Sequence, residues 1–265
     1  MDSTLAKGLH LLEWLARERR ECGVSEAARA LGLARSNAHR TLQTLVACGF
    51  AARNPATSAY RAGLRLFELG SLVGDAVDVA TLVRPHLARL AAATGETIHL
   101  TRLDGAEVVY LDKFDSARPV ATYSRVGGRA PACCVASGKA LLAAGPHDIA
   151  TLRAMLGTLH AHTPNSIVDL ERLVAELQKT ALRGYAENRE EWRIGVCGLG
   201  VPVFDARGQP VAAVGMTVPS IRFARAEAKA LAIHLLASAR DASEALGYPV
   251  DVFLAPERLA RAASR

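Results

Sequence analysis

The sequence has no CxxC pair, no uninterrupted apolar run of membrane-spanning length, no internal repeat and no low-complexity tract. Each absence excludes something. The five cysteines (Cys22, Cys48, Cys133, Cys134, Cys197) are odd in number and lack metal-ligand spacing. That argues against a disulfide frame or a structural zinc site, and for reduced thiols in a cytoplasm. A spanning helix needs about 20 consecutive apolar residues, so no membrane partner is expected. Residues 1–7 are polar and no cleavable apolar run follows, so the opening does not read as a secretory signal. Lys139 in "GKALLA" has no glycine-rich loop before it, which excludes a P-loop. No cofactor and no metal is expected.

What is present is 265 residues, 50% of them hydrophobic, with a formal charge of +6. That length suits one large domain or two smaller ones. The charge is unevenly placed. Residues 1–70 hold 10 Lys+Arg against 6 Asp+Glu, and the remainder 22 against 20. A positive excess in the first quarter fits an N-terminal module that faces a polyanion.

Leu5, Leu9, Leu12 and Leu15 give an amphipathic helix at 3–19. After a break at 21–24, Ser25 is a good N-cap for a helix through Leu31. Gly32 ends it, and "GLARSNAHRTLQTLVACGF" supplies the next helix within a few residues. Two short helices around a tight glycine-containing turn make a helix-turn-helix. "FAARNPATSAYRAG" then reads as two short strands around a turn at 54–58, carrying Arg53 and Arg61. Together these predict a winged helix-turn-helix.

Ala38, Leu42 and Leu45 fall on one face of the third helix. Ser36, Arg40 and Gln43 fall on the other, with His39 and Thr44 at its margins. A helix that enters a major groove needs such an outward face: arginine suits guanine edges, glutamine suits adenine, and hydroxyls suit bases or phosphates. A solvated helix face is the bland alternative. The preceding helix, the basic wing and the local charge favour double-stranded DNA. The expected DNA-binding residues are Arg35, Ser36, Asn37, His39, Arg40, Gln43, Arg53 and Arg61.

From Glu96 onward the period changes. "ETIHLTRLDGAEVVYLDKF" is a hairpin around Asp104-Gly105, and a further strand is expected near 118–126. Helices are expected at "ASGKALLAAG", at 169–183 and at 224–246, with another hairpin turning at 206–209. Mixed hairpins and helices predict an α+β domain with a mainly antiparallel sheet.

"GVSEAARALGLARSNAHRTLQTLVACGFAARNPATSAYRAG" resembles the N-terminal domain of the IclR family of bacterial transcriptional regulators. "GGRAPACCVASGKALLA", "HTPNSIVDLERLVAELQKTALRGYAENREE" and "GLGVPVFDARGQPVAAVGMTVP" resemble that family's effector-binding domain, in the same order. The resemblance implies a winged-helix domain (1–63), a linker helix (64–78), a GAF-like effector-binding domain (79–250) and a C-terminal tail (251–265). It also implies a homodimer or dimer of dimers, with Leu64, Phe67, Leu69 and Leu72 as candidate contacts, on a pseudo-palindromic operator. Ala34 stands for the family's usual proline and Asn37 for its usual threonine.

In the family, small carboxylates are held by backbone amides, a cysteine and two serines. Carried onto this sequence, the site comprises Cys134, Ala136, Ser137 and Gly138 at a helix N-terminus, where free N–H groups favour an anion. Val120 and Thr122 on a preceding strand and Leu199 complete its wall. The family cysteine falls on Gly198, its aspartate on Asn188 and its two serines on Gly215 and Thr217. The two glycines imply a roomier pocket for a bulkier, partly apolar acid, an aromatic one included; alternatively they relieve strand crowding or mark bulges.

Other residues carry weaker signals. Cys133-Cys134 reads as a pair of buried thiols, since adjacent cysteines rarely form an unstrained disulfide. His99 and His162 read as structural histidines, and Glu190-Glu191 as a solvated charge pair. Two other functions stay open: a DNA-binding redox sensor using Cys134 or Cys197, and a cysteine-dependent enzyme pairing Cys133 or Cys134 with His99. The second needs a base beside the thiol and an orienting third group, and no such constellation is recognisable.

Overall fold

In the computed structural model, the described residues are 3–72, 74–116, 118, 124–145 and 148–249. The chain divides into two compact units, residues 1–74 and 75–265.

The first unit forms because three short amphipathic helices share one small core. Helices α1 (Ser3–Glu18), α2 (Val24–Ala30) and α3 (Arg35–Ala47) precede strands β1 (Ala51–Arg53) and β2 (Tyr60–Ala62) and helix α4 (Arg65–Leu72). Leu11, Leu15, Ala27, Ala38, Leu42 and Tyr60 are buried together. Each such leucine contributes roughly 1.5–3 kcal/mol relative to exposure. Gly32, with φ +62°, makes the turn between α2 and α3. Ser25 does not cap α2. Gly23 is the N-cap, and Cys22 before it exchanges two backbone hydrogen bonds with Tyr60, both 2.8 Å. That bridge fixes the chain up to residue 22 and lets the helix begin one residue before Ser25.

The second unit is built on a six-stranded antiparallel sheet in the order β5-β4-β3-β8-β7-β6. In chain order it holds α5 (Gly74–Thr94), β3 (Thr97–Asp104), β4 (Glu107–Phe114), β5 (Arg129–Pro131), α6 (Ala136–Ala144) and α7 (Ile149–Leu156). Helix α8 (Leu170–Arg183), β6 (Ala186–Arg189), β7 (Val196–Phe204), β8 (Pro210–Pro219) and α9 (Arg225–Ala245) follow. Strand alternation sends Ile98, Leu100, Leu199, Val201, Val214, Met216 and Val218 to one face, where they join side chains of α5 and α9 in the main core. The opposite face carries Thr97, His99, Gly198, Gly200, Gly215 and Thr217, as the register requires, and α6 packs there.

Gly200 permits that packing. A Cβ there would overlap the backbone of Ala136 and lie 2.6 Å from the Ser137 nitrogen. The first turn of α6 therefore rests directly on β7. Helix α8 is bounded by Asp169, whose carboxylate accepts from Arg172 N (2.8 Å), and by Gly184 in the left-handed conformation.

The strand expected near 118–126 is not found in its described part: residues 124–126 are irregular, and β5 lies further on, at Arg129–Pro131. Val120 and Thr122 lie outside the described residues, as does the tail expected at 251–265. The linker helix expected over 64–78 is described as the whole of α4 and the start of α5, on either side of residue 73.

Candidate functional site

Two surfaces carry chemistry, one in each unit. On α3, Ala38 and Leu42 are buried, whereas Arg35, Ser36, Asn37, His39, Arg40 and Gln43 are all exposed. The Arg40 guanidinium donates to Asn37 Oδ1 at 3.3 Å, one turn back. Thr44, at the margin of the face, turns its hydroxyl to the Arg40 carbonyl. Ala34 caps α3 with no side-chain hydrogen bond, so the first-turn N–H groups receive none from it.

In the wing, Arg53 pairs across the ladder with Tyr60, and Arg61 with Ala52. Directly opposed residues share a face, so Arg53 and Arg61 project from opposite faces of the ribbon. Arg53 donates to Ser58 Oγ (2.8 Å). The wing tip is held by Glu21, which accepts from Asn54 Nδ2 (2.9 Å) and from the Thr57 hydroxyl (3.1 Å). Glu21 carried no sequence signal because its partners lie more than thirty residues away.

In the second unit a cavity of about 60 Å³ opens between the sheet and the start of α6. Ala136, Ser137, Asn188, Gly198, Leu199, Gly215 and Thr217 line it, as do His99, Tyr110, Ser124, Trp192 and Arg193, which sequence reasoning left out. Leu199 differs from expectation in its orientation. Its side chain belongs to the core on the far face of the sheet, so only its backbone serves the cavity. Cys134 is fully buried among Leu141, Leu142 and Leu177 and does not line the cavity. Gly138 is also absent from the wall. Its Cα sits against Ala132, where any side chain would overlap the backbone.

The two strand glycines do not open a spacious floor. A Cβ on Gly198 would come within 2.7 Å of the Met216 carbonyl oxygen, and one on Gly215 within 3.2 Å of Ser137 Cβ. They admit close neighbours, which is the crowding alternative, and the cavity is correspondingly small.

His99 sits at the bottom of this site. Its Nε2 is 2.6 Å from Ser124 Oγ, its Nδ1 3.4 Å from Thr217 Oγ1, and its ring meets Tyr110 edge-on at 5.0 Å. Burial, with help from the Lys113 charge, lowers its pKa to about 3, so it is a neutral imidazole. Burial pushes the Tyr110 hydroxyl up to about 12, leaving it a donor.

Glu190 and Glu191 are not a solvated pair. Both oxygens of Glu191 accept from Lys139 Nζ at 2.7 Å, and the pair is buried. Burial pushes the Glu191 carboxyl up, opposed by the Lys139 charge. The Glu191 amide donates to Asn188 Oδ1 (2.9 Å), and Glu190 Oε1 accepts from Gly195 N (2.7 Å). Ser166 donates to the Glu191 carbonyl. Residues 190–195 thus form a loop clamped at both ends, with Trp192 and Arg193 at its tip over the cavity.

The cysteine readings find no geometry. Cys133 and Cys134 are free thiols 3.6 Å apart, and His99 hydrogen-bonds to hydroxyls and not to either sulfur. The Cys133 contact and burial push the Cys134 thiol up, and burial does the same to Cys197. His162, expected to be structural, is exposed. Among the described residues, Glu18, Cys22 and Glu26 lie close enough to hold an ion. Arg20 is ion-paired with both Glu18 and Glu26 and already engages their carboxylates. No described helix is long and apolar enough to cross a membrane.

Comparison with known proteins gives the same two-part division. Residues 4–55 match the IclR helix-turn-helix domain, and residues 72–244 match the bacterial transcriptional regulator IclR C-terminal domain. The transcriptional regulator KdgR of Dickeya chrysanthemi is 33% identical over 93% of this chain and 80% of its own. The crystal structure of the Thermotoga maritima IclR covers 94% of this chain and 100% of its own, at 33% identity and a TM-score of 0.76. An IclR homolog of Microbacterium hydrocarbonoxydans, crystallised with 4-hydroxybenzoate, covers 92% of this chain and 99% of its own, at 26% identity and a TM-score of 0.78. The chain belongs to the IclR family: it is a ligand-responsive transcriptional regulator, with a helix-turn-helix DNA-binding domain ahead of an effector-binding domain.

Proposed function

We infer that the effector is a small organic carboxylate, bound in the cavity at the start of α6. The composition of the wall supports this reading most directly. Among the described residues it holds an arginine, an amide, a buried tyrosine hydroxyl and three further hydroxyls, and no aspartate or glutamate. Asn188 spends its carbonyl oxygen on the Glu191 amide, which leaves its NH₂ group for a ligand. The first turn of α6 adds backbone N–H groups that favour negative charge. The Microbacterium relative's 4-hydroxybenzoate belongs to the same chemical class. The operator is read by Arg35, Ser36, Asn37, His39, Arg40 and Gln43, while Arg53 and Arg61 contact phosphate.

A single recognition helix covers one half-site, so the protein acts as a two-fold dimer, or a dimer of dimers, on a pseudo-palindrome. Leu64, exposed just before α4, and Phe67 and Leu69, exposed within it, are the candidate contact. The chain works in the cytoplasm and is not an enzyme: no described thiol has the base that nucleophilic catalysis needs. The test is recovery of genomic fragments on the purified protein, followed by footprinting with and without added carboxylates. A symmetric footprint altered by a carboxylate is expected. An asymmetric, acid-insensitive footprint would overturn the reading.

A further inference from the structure

We propose that Arg193 is the charge anchor for the effector's acid group, and that Trp192 is the size gate of the cavity. The inference rests on the carboxylate reading above and adds two residues to it. Arg193 lines the cavity, its side chain is exposed, and no carboxylate is paired with it among the described residues. Three other cations of this domain, by contrast, are matched by acids: Lys139 by Glu191, Arg222 by Glu96 and Arg84 by Asp112. A guanidinium over a cavity that has no acid in its described wall is a ready partner for a carboxylate, which it can hold with two parallel hydrogen bonds. It is held over the Trp192 ring, with Cζ 4.3 Å from the ring centre.

The loop is built to hold that pair in place. Glu190 closes it onto Gly195, Glu191 is buried against Lys139, and Ser166 donates to the Glu191 carbonyl. At the tip, the Val196 amide donates to the Arg193 carbonyl (3.3 Å), which leaves the Arg193 side chain for a ligand. Trp192 is half-buried against the apolar cluster under α6 and so forms a wall of fixed position. With Trp192 in place, about 60 Å³ is open. A water needs roughly 10–15 Å³ on such a measure, so this space takes an acid of a few heavy atoms. A benzoate exceeds it unless the indole is removed.

Melting temperature and calorimetric titration would be read with glycolate, pyruvate, malonate, succinate and benzoate, with glycolamide and benzamide as uncharged controls. In the wild type, a small acid should bind and its amide should not. Arg193→Gln should weaken that acid at least tenfold, and Arg193→Lys should recover part of the loss. Trp192→Ala should bind benzoate at least tenfold more tightly than the wild type does. Trp192→Leu serves if the alanine variant melts early. Equal acid binding by wild type and Arg193→Gln would remove the anchor while leaving the carboxylate reading intact. Benzoate binding equally to wild type and both Trp192 variants would remove the gate. No binding of any acid to the wild type would overturn both the inference and the reading beneath it.

Discussion

His99 shows how a single residue can make a whole domain sensitive to pH. Its pKa in the folded chain is about 3, against an ordinary 6.5, because burial disfavours the imidazolium. Between those values the unfolded chain binds more protons than the folded one, so stability rises with pH and is lost as pH falls below 6.5. At pH 5 the loss from this residue is about 2 kcal/mol relative to pH 7.5. Urea unfolding at the two pH values should show wild type losing that much more than His99→Gln. Equal losses would mean that the imidazole is not held neutral. The strand glycines carry the opposite lesson at the same scale. A glycine in a strand pattern marks close approach as readily as open space, and only the neighbours of Gly198 and Gly215 decide which.

Among the elements, α3 was the most legible, because an amphipathic helix writes its buried and exposed faces directly into the sequence. Ala38 and Leu42 against Arg40 and Gln43 needed no tertiary information. Base-contact chemistry gives an expectation for it: Arg40→Ala or Gln43→Ala should cost roughly 1–3 kcal/mol at the operator and relax base preference there. Arg61→Ala in the wing should weaken all sequences alike and flatten the salt dependence of binding. Unchanged sequence preference in both α3 variants, measured by selection from random duplexes, would take the reading role from this helix. Strand β6 and helix α7 were not legible. Strand β6 is four residues long with three consecutive polar residues, so it shows no apolar alternation, and α7 is a short helix whose start is set by an Asp148 cap.

The loop at 190–195 was hidden for a different reason. Two adjacent glutamates look solvated until a lysine 52 residues away is brought to them. Removing that lysine leaves a buried carboxylate unpaired. Lys139→Met should therefore destabilise the domain by about 3–5 kcal/mol. Adding Glu191→Gln, which keeps an acceptor for the Arg189 amide, should recover part of the loss. Thermal unfolding of the single and double variants checks this. A double variant no more stable than the single would show that the charge pairing is not what matters.

At the scale of the whole molecule, the two compact units were legible from the change of period near Glu96 and from the concentration of positive charge in residues 1–70. The cavity was legible in part. Residues placed by the resemblance, such as Asn188, Ser137 and Thr217, do line it, but the loop tip above it, Trp192 and Arg193, gave no signal. A regulator of this design must couple the two units. By linkage, a carboxylate that changes operator affinity by some factor has its own affinity changed by the same factor when operator is bound. The direct measurement is fluorescence anisotropy of a labelled operator, with and without saturating acid, paired with titration of the acid onto free and operator-bound protein. Equal factors in the two directions are expected, of about 5–150-fold, as is typical of allosteric coupling. Operator affinity that stays constant while the acid binds would contradict it.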